Sequence, residues 1–223
     1  MSWPYEVCVR FARWLLVQLI TVRQPAIDYS MSETKKAAIF LDRDGTLNVE
    51  KGYLFRYEDW EWIPGAVEAI IKINRMDLIA IVITNQAGVA RGYYDEEAIH
   101  ELHNKVSNLL SQCGARIDAY YYCPHHPQYG AMVHCTCRKP APGMLLQAGV
   151  DHNLDMSRSW IIGDKLSDIE AGFHAGATPI LVRTGYGEMH QALGASGVQI
   201  EPDVLSAVQY IERSEQRRHH HPS

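Results

Sequence analysis

Two carboxylates one residue apart, Asp42 and Asp44, follow the apolar run Ala37-Ala38-Ile39-Phe40-Leu41 and precede Gly45. Like charges this close repel unless a cation lies between them, and Mg²⁺ draws its protein ligands from carboxylate oxygens. One member of a pair so held can attack an electrophilic phosphorus. The same residues also make an ordinary polar turn after a strand, because Asp and Gly are common turn formers. On this stretch alone both readings stay open. Later stretches add to the inventory: Thr84-Asn85, Arg138-Lys139 and Gly163-Asp164-Lys165. Asp42, Asp44 and Asp164 can supply Mg²⁺ with oxygens, while the Thr84 hydroxyl and the Lys139 ammonium can hold phosphoryl oxygens. That set suits phosphoryl transfer, which asks for positioning and charge neutralisation above all.

A second constellation is Cys123-Pro124-His125-His126 followed by Cys135-Thr136-Cys137. Three cysteines and one histidine in paired spacings match a closed, tetrahedral, structural Zn²⁺ site. The Cys-x-His spacing mirrors Cys-x-Cys and favours His125; His126 and His134 are the alternatives, and free cysteines in a loop are the bland reading. A closed site does no chemistry but staples a long loop, here the one that delivers Arg138 and Lys139.

The elements that must position these groups alternate between strand and helix. Apolar runs at 37–41, 78–83, 117–122, 160–162 and 179–182 read as buried strands. Helical spacing covers 66–75, 95 to about 113, 143–148, 167–175 and 203 to about 213, with the acidic Asp95-Glu96-Glu97 opening the second, Asp203 as an amino-terminal cap and Gly176 as a carboxyl-terminal cap. Such alternation predicts an α/β fold with a doubly wound, mostly parallel sheet. Ligands of open α/β sheets bind at the carboxyl ends of the strands, where the polar stretches fall. Trp60 and Trp62 read as core, His100 and His103 as solvated, and Arg91 equally as a surface residue or a substrate ligand.

The chain has 223 residues, enough for one domain or one domain with a tail. Its net charge of −5 offers nothing to nucleic acid in bulk. Five cysteines, an odd number, do not suggest a disulfide framework. The apolar stretch Val7–Val22 carries Arg10 and Arg13 and falls short of the ~20 apolar residues of a membrane span. Residues 1–30 therefore read as a dispensable amphipathic extension, with membrane-surface attachment as the rival. The expected layout is this extension, a catalytic domain over 31–213 and a tail over 214–223, read as disordered from Arg217 on.

Asp42-Arg43-Asp44-Gly45-Thr46, Thr84-Asn85, Lys139 and Gly163-Asp164-Lys165-x-x-Asp168 resemble, in order, the four motifs of the haloacid dehalogenase-like phosphotransferases, over residues 37 to about 185. The resemblance implies a Rossmann-like fold, Asp42 as the nucleophile that becomes an aspartyl-phosphate, and Asp44 as general acid and then base. The zinc loop narrows it to the capless, histidinol-phosphatase-like group. Asn48 to Tyr53, Thr84 to Gly92 and Tyr121 to Pro127 resemble the heptose bisphosphate phosphatases of that group. That resemblance implies a cytoplasmic, monomeric hydrolase of a sugar phosphate, with Mg²⁺ for catalysis and Zn²⁺ for structure. The net charge and the short, charged apolar stretch described above predict no nucleic-acid partner and no stable membrane insertion. Carried over, Arg43, Glu50, Lys51, Gly52, Tyr53, Asn85, Gln86, Ala87, Arg138 and Lys165 line the substrate site, and Arg138 meets a distal phosphate. Asp168 is expected to orient Lys165 or the metal shell. Lys51 stands where these phosphatases commonly have His, and Ala87 where they commonly have Ser. The alternatives are a histidinol-phosphate or general sugar-phosphate phosphatase, or a non-catalytic zinc-stabilised binding module.

Overall fold

The computed structural model describes residues 34–194 and 197–220; the extension expected over residues 1–30 lies outside them. Six strands form one parallel sheet: β1 (Ala38–Leu41), β2 (Ile79–Asn85), β3 (Ala119–Cys123), β4 (Trp160–Gly163), β5 (Thr178–Val182) and β6 (Gln199–Glu201). Their order is β3-β2-β1-β4-β5-β6. The helices are α1 (Ala66–Arg75), α2 (Glu96–Gln112), α3 (Gly143–Asp151), α4 (Leu166–Ala175), α5 (Gly187–Ala192) and α6 (Val204–His220).

The central strands carry apolar residues on both faces because both faces are covered. Ile39, Leu41, Ala80, Val82 and Ile162 pack with α1, α2 and α6, through residues such as Ile70, Leu102 and Val208. Their alternate neighbours Ala38, Phe40, Ile81, Ile83 and Ile161 pack with α3 and α4, through Leu145, Ala148 and Ala171. Trp60 and Trp62 pack against the first of these layers, edge to face with centroids 5.0 Å apart. Helix α2 starts where the sequence places it, with Asp95 Oδ1 accepting from Ala98 N at 2.9 Å. In the same way Asp203 Oδ1 accepts from Ser206 N at 2.8 Å at the head of α6.

The register sets the site. Leu41 pairs with Val82 on one side and with Ile162 on the other. Asp42, Thr84 and Asp164 therefore leave the sheet at one edge. The chain winds outward from β1 to β3 in one direction and from β4 to β6 in the other. The tips of β1 and β4 thus flank the point where strand order reverses, the place where an open sheet leaves a crevice. Among the described residues no separate domain is inserted into the crossovers; the longest stretches outside the strands and α-helices are 42–65, which holds a single 3-10 turn at Tyr57–Asp59, and 124–142.

Two features go beyond the sequence reading. Strand β6 and helix α5 were not expected; three residues and six residues are too short to show a period. Helix α6 runs to His220 instead of ending near Arg213. The polar run hides its anchors: Glu215 is largely buried, Arg218 pairs with it at 2.9 Å, and the Arg218 guanidinium lies 5.5 Å from the centre of the Trp160 ring. No described helix is long and apolar enough to cross a membrane.

Candidate active site

Asp42 is the first residue beyond β1 and is 4% exposed. Lys139 arrives from the distant 124–142 loop and sets its Nζ 2.6 Å from Asp42 Oδ1 and 2.6 Å from Asp168 Oδ1. It also donates to Ile83 O at 2.9 Å, so a buried ammonium has three oxygen partners. Its backbone is clamped by one side chain: Asn85 Nδ2 donates to Lys139 O, and Lys139 N donates to Asn85 Oδ1, each at 3.1 Å. Burial works against ionisation of Asp42, but the Lys139 and Lys165 charges outweigh it and hold the carboxyl below its ordinary range. Burial likewise opposes the charge on Lys139, and the carboxylates of Asp168 and Asp42 more than restore it.

Asp164, beyond β4, is fully buried. Its Oδ2 accepts from Tyr186 N at 2.9 Å. Its Oδ1 has no hydrogen-bond partner, and the Lys165 ammonium stands off at 3.7 Å. Two glycines make room for this carboxylate. A β-carbon at Gly45 or at Gly185 would collide with Asp164 Oδ2, and both residues have positive φ, 95° and 58°. Burial first, and the Asp42 charge second, push the Asp164 carboxyl up to about 8. Oxygens of Asp42, Asp164 and Asp168 lie within 4.8 Å of one another. A buried oxygen without a donor, in a cluster whose charges repel, is what a hard divalent cation relieves, so these residues fit Mg²⁺.

Asp44 is placed differently from the expected metal ligand. Its Oδ1 accepts from Arg43 Nη2 at 3.1 Å and Asn48 Nδ2 at 3.0 Å; its Oδ2 accepts from Arg43 Nε at 3.1 Å and Gln86 Nε2 at 2.9 Å. With both oxygens engaged by these donors, the carboxylate lies outside the three-carboxylate group. Arg43, expected to face substrate, is instead 1% exposed beneath the site, because Asp44 and Leu54 O consume its donors. Thr84 is buried, its hydroxyl accepting from Gln86 Nε2 at 2.8 Å. Asp168 grips Lys139 and caps α4 by accepting from Lys165 N at 3.0 Å; of its two expected places it takes the one beside the other carboxylates rather than at the Lys165 ammonium. Lys165 Nζ instead meets Glu50 Oε2 at 3.1 Å.

Asp42, Asp44, Thr84, Lys139 and Asp168 line a pit of about 70 Å³. An open cleft of about 500 Å³ is lined by Glu50, Gly52, Tyr53, Asn85, Gln86, Ala87, Arg138 and Lys165, with Lys139 also reaching it. Lys51 is not among the lining residues: its ammonium pairs with Glu61 at 2.9 Å on the exposed side of the loop. Tyr94, His126, Ser167 and Tyr186 complete the wall and were not anticipated. Ser167 and Tyr186 follow strand ends, a signal that could have found them; Tyr94 had none. Tyr94 donates to Gln86 Oε1 at 2.8 Å. Arg91 stacks over Tyr129, 4.1 Å from the ring centre, and its Nη2 lies 3.3 Å from His126 Nε2.

Cys123, His125, Cys135 and Cys137 come together, with Cys137 Sγ 3.2 Å from Cys123 Sγ and 3.3 Å from His125 Nδ1. His126 turns to Arg91 and His134 is exposed, so neither joins the group. Three thiols and an imidazole with no disulfide between them are a donor set for Zn²⁺. The cluster grows from the sheet edge itself, since Cys123 ends β3 and pairs with Asn85 of β2. Arg138 Nη1 donates to His125 O at 3.0 Å, tying this guanidinium to the cluster's backbone.

Residues 136–207 match a family model described as "HAD-hyrolase-like". The chain is 45% identical over 154 residues to the D-glycero-beta-D-manno-heptose-1,7-bisphosphate 7-phosphatase of Photorhabdus laumondii, covering 66% of this chain and 81% of the relative. It is 43% identical over 153 residues to the enzyme of that name from Escherichia coli K12, covering 66% and 80%. It is similar to the crystal structure of D,D-heptose 1,7-bisphosphate phosphatase from B. bronchiseptica complexed with magnesium and phosphate. There the TM-score is 0.74 and the identity 32%, with 80% of this chain and 99% of that chain covered. The strand order, the acidic crevice at its reversal and the likeness along most of each relative's length place this phosphoric monoester hydrolase in the haloacid dehalogenase-like family of the heptose bisphosphate phosphatases.

Proposed function

We propose that this chain removes the 7-phosphate of D-glycero-D-manno-heptose 1,7-bisphosphate in the cytoplasm, leaving heptose 1-phosphate for nucleotide-activated heptose and envelope polysaccharide. The observation that carries the reading is the pit under the cleft. A carboxylate held by a buried lysine sits where a phosphoryl group would enter, and Arg138 stands in the wall above it. The relatives named above act on this bisphosphate.

In the proposed reaction Asp42 attacks phosphorus as the bond to the sugar oxygen breaks, and Asp44 gives that oxygen its proton. Water then attacks the aspartyl-phosphate, its proton passes to Asp44, and phosphate leaves with Asp42 restored. Lys139 and Thr84 steady the phosphoryl oxygens, and Lys139 fixes the nucleophile by one oxygen. Asp42 and Asp164 would hold Mg²⁺, which when bound neutralises charge on the phosphoryl group. Arg138, able to bind bidentately, meets the 1-phosphate. Cys123, His125, Cys135 and Cys137 would hold Zn²⁺, which would staple the loop that presents Arg138 and Lys139. The catalytic unit begins at Met31 and acts as a monomer, so a chain truncated there retains activity.

The test is phosphate release, with and without Mg²⁺, from both anomers of the heptose bisphosphate, from histidinol phosphate and from fructose bisphosphate. A heptose bisphosphate must lead in catalytic efficiency, and Asp42→Asn must abolish turnover. If histidinol phosphate leads, the substrate is wrong and the mechanism stands; an active Asp42→Asn removes the nucleophile.

A further inference from the structure

Helix α2 packs on the sheet through Ile99, Leu102, Val106 and Leu110, yet a histidine, His103, shares that face and is 4% exposed. Sequence reading placed it in solvent; the structure buries it. Its ring stacks on Tyr120 with centroids 4.4 Å apart and planes at 17°. Its Nε2 lies 3.3 Å from Arg43 Nη1. Burial, and then the Arg43 charge, push its pKa down to about 2, so the ring is neutral. A guanidinium has only donors, so Nε2 must bring its lone pair and the ring proton must sit on Nδ1.

Arg43 thus has no idle side. Its Nε and Nη2 hold the two oxygens of Asp44, Nη2 also donates to Leu54 O at 2.8 Å, and Nη1 meets His103. Fork-to-fork pairing fixes the plane of a carboxylate as well as its place. The plane of the guanidinium is fixed in turn by whatever accepts from its free end. A leucine at 103 would suit the packing of α2 equally well and would leave Nη1 without that acceptor.

We propose that His103 is a positioning residue of the phosphatase reaction: through Arg43 it aims the Asp44 carboxyl at the leaving oxygen of the substrate. The inference rests on the reading of Asp44 as general acid. An alkoxide leaving group needs a proton as it departs; a nitrophenolate leaves without one. The ratio kcat/KM reports the steps up to departure of the leaving group and is blind to the later hydrolysis.

The experiment compares kcat/KM for a sugar phosphate and for p-nitrophenyl phosphate in wild type, His103→Leu, His103→Gln and Asp44→Asn. With general acid catalysis worth about a hundredfold or more, His103→Leu should lose about tenfold on the sugar phosphate and less than about threefold on the aryl ester. His103→Gln should recover most of the loss, because its amide oxygen can accept from Arg43. Equal losses on both esters, no loss, or a Gln variant no better than Leu would overturn the inference while Asp44→Asn still discriminates between the esters. If Asp44→Asn itself fails to discriminate, the acid assignment falls and this inference falls with it. A measurement on the wild-type protein is independent of how the variants fold. The ¹⁵N shifts of the His103 ring must show the Nδ1-protonated neutral form, and an Nε2-protonated ring or an imidazolium refutes the contact.

Discussion

Asp164→Asn should make the Mg²⁺-free protein more stable while destroying its activity. The carboxyl is fully buried, lacks a donor at Oδ1 and faces the Asp42 charge. Holding its pKa at about 8 against an ordinary 3.8 costs the fold on the order of 4 kcal/mol at pH 7, at 1.36 kcal/mol per tenfold. Asparagine keeps the shape and the Tyr186 N–H contact and removes the ionisable group. Part of the gain is returned, because the amide leaves a buried polar atom at the position of Oδ1, which has no partner. A net gain of about 2 kcal/mol is expected, a rise of about 4–8 °C in Tm for a chain of this size. The sign follows from proton binding. The native carboxyl stays protonated at pH values where the unfolded chain has released its proton. Wild-type stability from this group therefore falls as pH rises from about 4 to about 8 and is level above that. The variant lacks this slope, so the gap in Tm opens with pH. Calorimetry in Mg²⁺-free buffer at several pH values checks it. Saturating Mg²⁺ should reverse the order: at a hundredfold excess over Kd a ligand adds about 2.7 kcal/mol to wild type and nothing to the variant. A Mg²⁺-free variant that melts below wild type at pH 8, or a gap independent of pH, would refute the reasoning.

Three further outcomes follow from the geometry. Cys137→Ser should lower zinc content and phosphatase activity together, measured by metal analysis and initial rates; full activity in zinc-free protein would break the link between the cluster and Lys139. Arg138→Ala should raise KM for the bisphosphate by about tenfold or more, the worth of a charged hydrogen bond, whereas Lys51→Ala, whose partner Glu61 is a surface residue, should change it by less than about twofold. Asn85→Ala removes both hydrogen bonds that clamp the Lys139 backbone and should cost about 2 kcal/mol in denaturant unfolding as well as a fall in kcat.

The central strands were legible because both faces of β1, β2 and β4 are apolar, and the ends of these runs are marked by polar residues. The acidic crevice was legible for the same reason: Asp42 and Asp164 sit one residue past their strands. What the sequence hid was direction. Arg43 lies between two site residues and Lys51 between Glu50 and Gly52, yet each turns away, Arg43 beneath the floor to Leu54 O and Lys51 outside to Glu61. Neighbourhood in the chain says nothing about which side of a loop a long side chain takes. His103 carried a usable signal. It falls four residues after Ile99 and three before Val106, on the apolar stripe of α2, and only its polarity argued for solvent. Asp168 shows a different limit. Its spacing after Asp164 pointed to the site, but its partner, Lys139, is far away in sequence and set by tertiary structure alone.

The 124–142 loop is pinned at both of its roots. Cys123 pairs with Asn85 at one end, and the Asn85 side chain holds Lys139 at the other. Everything that steers the lysine therefore lies at the base, while the arc from Gln128 to His134 is exposed and carries none of the four cluster ligands. Evolution or an engineer can lengthen that arc, or graft a recognition hairpin onto it, without moving the Lys139 ammonium beside Asp42. A scaffold of this kind can acquire a roof over its open cleft while its floor is left alone.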